Sequence, residues 1–93
     1  MNTAIIITPS DNVAVALVDI AQGTSLELGG NTYTVTNDIP RGHKFALRNI
    51  ELNEDVIKYG YSIGHATELI EAGSHIHSHN LKTSLEGTLT YTY

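Results

Sequence analysis

Three histidines at alternate positions, His75, His77 and His79, form the sharpest chemical pattern in the chain. On an extended strand alternate side chains share a face, so a strand over Ser74 to His79 would project all three imidazoles to one side at steps of roughly 7 Å. Neutral imidazole is a good donor to first-row divalent metals, so such a row can hold one ion together. Two other readings fit the same spacing. The imidazoles can hydrogen-bond an anionic ligand or move protons as acid and base, or they can line a solvated edge strand and bind nothing.

Two further segments carry positive charge. Arg41-Gly42-His43-Lys44 and Lys58-Tyr59-Gly60 each place a lysine beside a glycine, and a lysine head group is a point charge suited to carboxylate or phosphate. Ordinary solvated lysines are the plainer alternative. No phosphate-cradling loop or dinucleotide fingerprint is present, and no serine is tied by spacing to a histidine and an acid. The absence of cysteine removes disulfides, thiolate metal sites and a Cys nucleophile together, and suits a reducing cytoplasm.

These groups are unevenly distributed. Residues 1–40 hold no Lys, Arg or His, whereas all five basic residues and all five histidines fall between Arg41 and Lys82. The first half therefore reads as scaffold and the second as the working surface. A net charge of −5 argues against nucleic acid or an anionic membrane as partner. The longest apolar run, Val13 to Val18, is too short to span a bilayer, and no signal peptide is evident.

The elements that must position the site are strands. Ten Ile, eleven Thr, five Val and five Tyr against a single Phe and no Trp is a β-rich composition. Strands are expected at Ala4 to Ile7, Val13 to Val18, Ser25 to Leu28, Tyr33 to Thr36, Lys44 to Leu47, Val56 to Lys58, Ser62 to Ala66 and Ser74 to His79. Gly29-Gly30-Asn31 marks a hairpin turn. Only Asn49 to Asp55 has room for even a short helix.

A local device recurs four times: Asp19-Ile20-x-x-Gly23, Asp38-Ile39-x-x-Gly42, Asn49-Ile50-x-x-Asn53 and Leu69-Ile70-x-x-Gly73. Asp or Asn suits a helix N-cap, and Gly or Asn suits the left-handed residue that ends a turn. Each copy is expected to be one short helical turn leading into a strand, with the four isoleucines buried. The irregular spacing between copies indicates one compact fold and excludes a solenoid. The expectation is a single all-β domain over 1–93, a small barrel or clip with short helical turns.

Three segments then resemble a known family in the same order: Asp38-Ile39-Pro40-Arg41-Gly42-His43-Lys44-Phe45-Ala46-Leu47, Val56-Ile57-Lys58-Tyr59-Gly60-Tyr61-Ser62-Ile63-Gly64, and Gly73-Ser74-His75-Ile76-His77-Ser78-His79-Asn80-Leu81-Lys82-Thr83. From about Asp11 to Thr83 the chain is similar to the N-terminal SAF domain of altronate/galactarate dehydratases, a β-clip related to the antifreeze-like domain of sialic acid synthases. The module also occurs as a separate small subunit, and sulfolactate sulfo-lyases share the two-part organisation. The His-x-His-x-His-Asn pattern resembles the sugar-acid branch more than the sulfolactate branch.

The resemblance implies a hydro-lyase that removes water from a sugar acid to leave a 2-keto-3-deoxy acid, with Fe2+ or Mn2+ in the complete enzyme and most catalytic groups on a large partner subunit or domain. It implies that His75 and His77 are catalytic and metal-binding, that His79 and Asn80 lie close by against the sugar acid, and that His43, Lys44 and Lys58 supply positive charge to it. The chain would be a small subunit or an N-terminal domain acting in the cytoplasm, with homo-oligomer formation compatible. A free-standing carbohydrate-binding or sugar-acid-binding module without catalysis is the alternative.

Overall fold

The computed structural model describes residues 3–83. Among the described residues, nine short strands run β1 (Ala4–Ile5), β2 (Val13–Ala16), β3 (Ser25–Leu28), β4 (Asn31–Thr34), β5 (Lys44–Ala46), β6 (Asp55–Lys58), β7 (Tyr61–Ala66), β8 (His75–Ile76) and β9 (Leu81–Lys82). All pairings are antiparallel, in a central sheet ordered β1-β2-β5-β8, a hairpin β3-β4 and a three-stranded sheet β6-β7-β9. The all-β expectation holds, and no helix occurs among the described residues. The hairpin at Gly29-Gly30 is a two-residue turn with positive φ at both positions, as the twist of its strands favours.

The four recurring devices form two reciprocal pairs. Ile20 and Ile39 exchange both backbone hydrogen bonds, at 2.9 and 2.8 Å, and Ile50 and Ile70 do the same at 2.8 Å. All four side chains are buried. The expected helical turns are β-turns instead: the N–H groups of Thr24, His43, Glu54 and Ser74 donate to the carbonyls of Ala21, Pro40, Glu51 and Glu71. Positive φ at the third residue of each turn, Gly23, Gly42, Asn53 and Gly73, fits a type II turn as well as a helix stop, so composition alone did not separate them.

The polar residues that open three of the devices do not cap their own turns. Asp38 Oδ1 accepts from the Gln22 N–H, and Asp19 Oδ1 accepts from the Arg41 N–H, both at 2.8 Å. Asn49 Oδ1 takes the Ala72 N–H in the same way. Leu69 cannot return the favour, and the Glu51 N–H bonds to Glu54 Oε1. Three of the four turns are thus held from across the pair, and the fourth by its own Glu54.

The pairing repeats along the chain at a nearly constant offset. Ala16, Ile20 and Gly23 correspond to Ala46, Ile50 and Asn53 thirty positions later, while Val35, Ile39 and Gly42 correspond to Ala66, Ile70 and Gly73 thirty-one positions later. The extra residue falls in the second hairpin, where β6 and β7 slip register beside Val56 and Ile57. The irregular spacing read from the sequence therefore hides two similar halves. Each half has its own apolar cluster, one built around Ile39 and Phe45 and the other around Ile50, Val56 and Ile76, and the strand β5 contributes to both.

Asp11 fastens the tip of the second hairpin. Its carboxylate accepts from the N–H groups of Tyr59, Gly60 and Thr8 and from the Thr8 hydroxyl. Burial, the largest single influence, pushes its pKa up, but the bonds from Thr8, Gly60 and Tyr59 outweigh it and hold the carboxyl below its ordinary 3.8. A carboxyl lowered on folding contributes stability that is complete above the ordinary value and is lost as pH falls through the folded value. The Glu54 carboxylate, held down by Arg48, works in the same window. We expect the urea midpoint to fall as pH is taken below about 4, and Asp11→Asn to flatten that fall; an acid limb identical in the variant would contradict the assignment.

Candidate functional site

The site begins with backbone anchoring. His43 closes the turn that starts at Pro40, and its carbonyl accepts from the Ala16 N–H at 2.8 Å. It precedes β5, in which Phe45 lies opposite His75 of β8. The His75 N–H donates to Asn37 Oδ1 at 3.0 Å, and its carbonyl accepts from Asn80 Nδ2 at 2.9 Å. Gly73, two residues earlier, is pressed so closely on the Thr34 carbonyl that a Cβ would collide with it. Its φ of 85° is also one that other residues adopt only with strain. The first half thereby fixes where the second half presents His75.

Four imidazoles meet at this junction. His43 Nδ1 and His75 Nε2 are hydrogen-bonded at 2.8 Å. The His43 and His77 rings lie parallel, 2° apart with centroids at 5.8 Å, and His75 is 5.3 Å from His77. His79 follows at 5.9 Å from His77 and 6.4 Å from His75. His43 and His75 are half-buried, whereas His77 and His79 are exposed.

Burial pushes the His75 pKa down, and the neighbouring His43, His77, His79 and Lys44 push it further, to about 4. At neutral pH this ring is uncharged and keeps a nitrogen lone pair. It can accept a proton, accept a hydrogen bond or bind a metal. The Nδ1–Nε2 contact is the tightest in the cluster, and among the described residues no three His, Asp or Glu side chains form a finished metal chelate.

The strand expected over Ser74 to His79 stops at Ile76. The reason is Asn80, whose buried amide accepts the His77 N–H through Oδ1 while bonding the His75 carbonyl through Nδ2. This clip turns the chain at His77–Asn80, so His79 joins the cluster from a turn. Asn80 was expected beside the sugar acid; its side-chain amide is engaged in holding the loop.

Lys44 and Lys58 come from β5 and β6. Strand alternation puts Lys44 on the face of its partner Ile76, opposite to that of Phe45 and His75. Both lysines are buried, and the Lys58 ammonium lies 5.1 Å from the Tyr59 ring. Burial, then the Lys58 charge, lowers the Lys44 pKa to about 8. Burial also lowers that of Lys58, partly offset by Asp11.

The sequence reading missed Asn37 as an anchor of His75 and missed the direct bond from His43. The repeat offset holds a signal for His43, since it matches Gly42 to Gly73, and the segments that follow the two glycines pair side by side. A cleft of about 810 Å³ lies at the other end of β5, lined by Ile5, Asp11, Leu28, Tyr33, Leu47 and Arg48 among others, and no imidazole reaches it.

Comparison with known proteins covers this whole architecture. A family model described as "Altronate/galactarate dehydratase SAF domain" matches residues 2–84. Altronate dehydratase of Escherichia coli (strain K12) is 49% identical over 83 residues, which are 89% of this chain and 17% of that protein. Altronate dehydratase of Bacillus subtilis (strain 168) is 46% identical over 93 residues, 100% of this chain and 19% of that protein. The (2R)-sulfolactate sulfo-lyase subunit alpha of Chromohalobacter salexigens is 45% identical over 51 residues, 55% of this chain and 54% of that protein. The chain thus spans less than a fifth of the length of the two dehydratases.

Proposed function

This chain belongs to the SAF domain family of altronate/galactarate dehydratases, and from that membership we propose that it is the small, non-autonomous part of a sugar-acid hydro-lyase, working in the cytoplasm beside a larger catalytic body. The observation that carries the proposal is the imidazole cluster: His43, His75, His77 and His79 gather on the segments that resemble the family. A relative named as a subunit supports a two-part arrangement.

In the proposed reaction a base takes the proton α to the carboxylate and the β-hydroxyl leaves with a proton as water. The resulting enol becomes a 2-keto-3-deoxy acid. His75, neutral at pH 7, suits proton acceptance or ligation, and the exposed His77 and His79 suit contact with substrate hydroxyls.

Imidazoles with ring centroids 5.3 Å apart are chemically suited to a first-row cation. His75 and His77 would hold it, the sugar acid and the catalytic body completing its ligands. Fe2+ or Mn2+ would supply positive charge to the oxygens of the substrate. Lys44, on the other face of β5, and Lys58, on β6, would act on the sugar acid through their field.

The proposal is tested by co-purifying the tagged chain with the large dehydratase polypeptide of its source organism. We expect a stable complex and tight sugar-acid binding only in that complex. A chain that binds galactarate or altronate with full affinity alone, and never associates, is a free-standing binding module.

A further inference from the structure

Building on the reading of His75 as a ligand to metal or sugar acid, we infer that His43 is a positioning residue: its Nδ1 accepts the Nε2 proton of His75 and leaves the Nδ1 lone pair of His75 for the ligand. The two nitrogens are 2.8 Å apart, so one proton is shared between the rings. Two arrangements satisfy that distance. If His43 donates, the Nε2 lone pair of His75 is consumed and its proton sits on Nδ1, so the ring has nothing left to offer a cation. If His75 donates, its Nδ1 is bare, and His43 carries its own proton on Nε2. Only the second arrangement is compatible with ligation.

His43 is built for such a role. Its backbone is tied on both sides, by the Pro40 carbonyl and the Ala16 N–H. Its ring also lies parallel to that of His77. Partners that accept the outer N–H of a ligating imidazole commonly fix its tautomer and raise its basicity, and removing one typically costs about 10–100-fold in metal affinity or activity. His43 takes that place here, as a neutral acceptor and not as a source of charge for a carboxylate.

The test is the tautomer of His75, read by long-range 1H–15N imidazole correlations on the 15N-labelled 93-residue chain near neutral pH. The expected spectrum shows His75 protonated at Nε2 with an unprotonated Nδ1. In His43→Ala the His75 ring should redistribute between both tautomers, and the assembled enzyme should lose about 10–100-fold in kcat. His43→Gln, whose carbonyl oxygen can still accept, should recover most of both. A His75 proton on Nδ1 in the unaltered chain overturns the inference, and that measurement needs no variant to fold. So does a His75 tautomer unchanged in His43→Ala. The ligand reading itself fails by a different result, full turnover with His75→Ala, so the two failures are distinguishable.

Discussion

Truncating Ile39 to Ala is expected to lower the unfolding free energy by about 2–5 kcal/mol, a large share of the about 5–15 kcal/mol typical of a domain. Ile39 is 1% exposed within the first apolar cluster, and its backbone forms the two-way bridge with Ile20. Removing its outer carbons leaves a cavity against Ile20, Val35 and Phe45 that the fixed bridge prevents from closing. Ile50→Ala, in the second cluster and 0% exposed, should cost as much. Leu52, two residues on from Ile50 but 58% exposed, provides the control, and Leu52→Ala should stay within about 0.5 kcal/mol. Urea midpoints at constant slope measure all three. An unchanged midpoint for Ile39→Ala would show that the paired devices do not hold the fold.

The second large effect concerns catalysis. His75→Ala and His77→Ala should each reduce the turnover of the assembled dehydratase by about 10²–10⁴-fold, the range typical for loss of a positioned acid–base group. His75 should be the more sensitive, because its ring is half-buried, held neutral by its surroundings and bonded to His43. His79, at the outer edge of the cluster, should cost less. Both variants should keep their unfolding free energies to within about 1 kcal/mol, since neither imidazole belongs to an apolar cluster. Full activity in both would reduce the cluster to surface decoration.

What could be read in advance follows from local chemistry. β-branched alternation located most strands, Gly29-Gly30 located the hairpin, and burial of Ile20, Ile39, Ile50 and Ile70 followed from their place in the recurring device. The pairing of devices was hidden because it depends on hydrogen bonds between residues nineteen or twenty positions apart. The direction of capping was hidden for the same reason, since Asp19 and Asp38 serve each other's turns. Alternation brought His75 and His77 to one face, but the early end of β8 needed the Asn80 clip, and the arrival of His43 needed the register of β5 on β8. Lys44, which looked like a companion of the histidines, was sent by the same alternation to the face opposite His75.

The central claim is that this chain completes a sugar-acid dehydratase and does nothing catalytic alone. Its most direct measurement is release of 2-keto-3-deoxy acid from altronate and galactarate by three samples supplied with Fe2+ or Mn2+: the 93-residue chain, the large polypeptide without it, and the two together. The account predicts turnover only in the mixture, and loss of that turnover when the chain carries His75→Ala. Equal rates from the large polypeptide with and without the chain would contradict it.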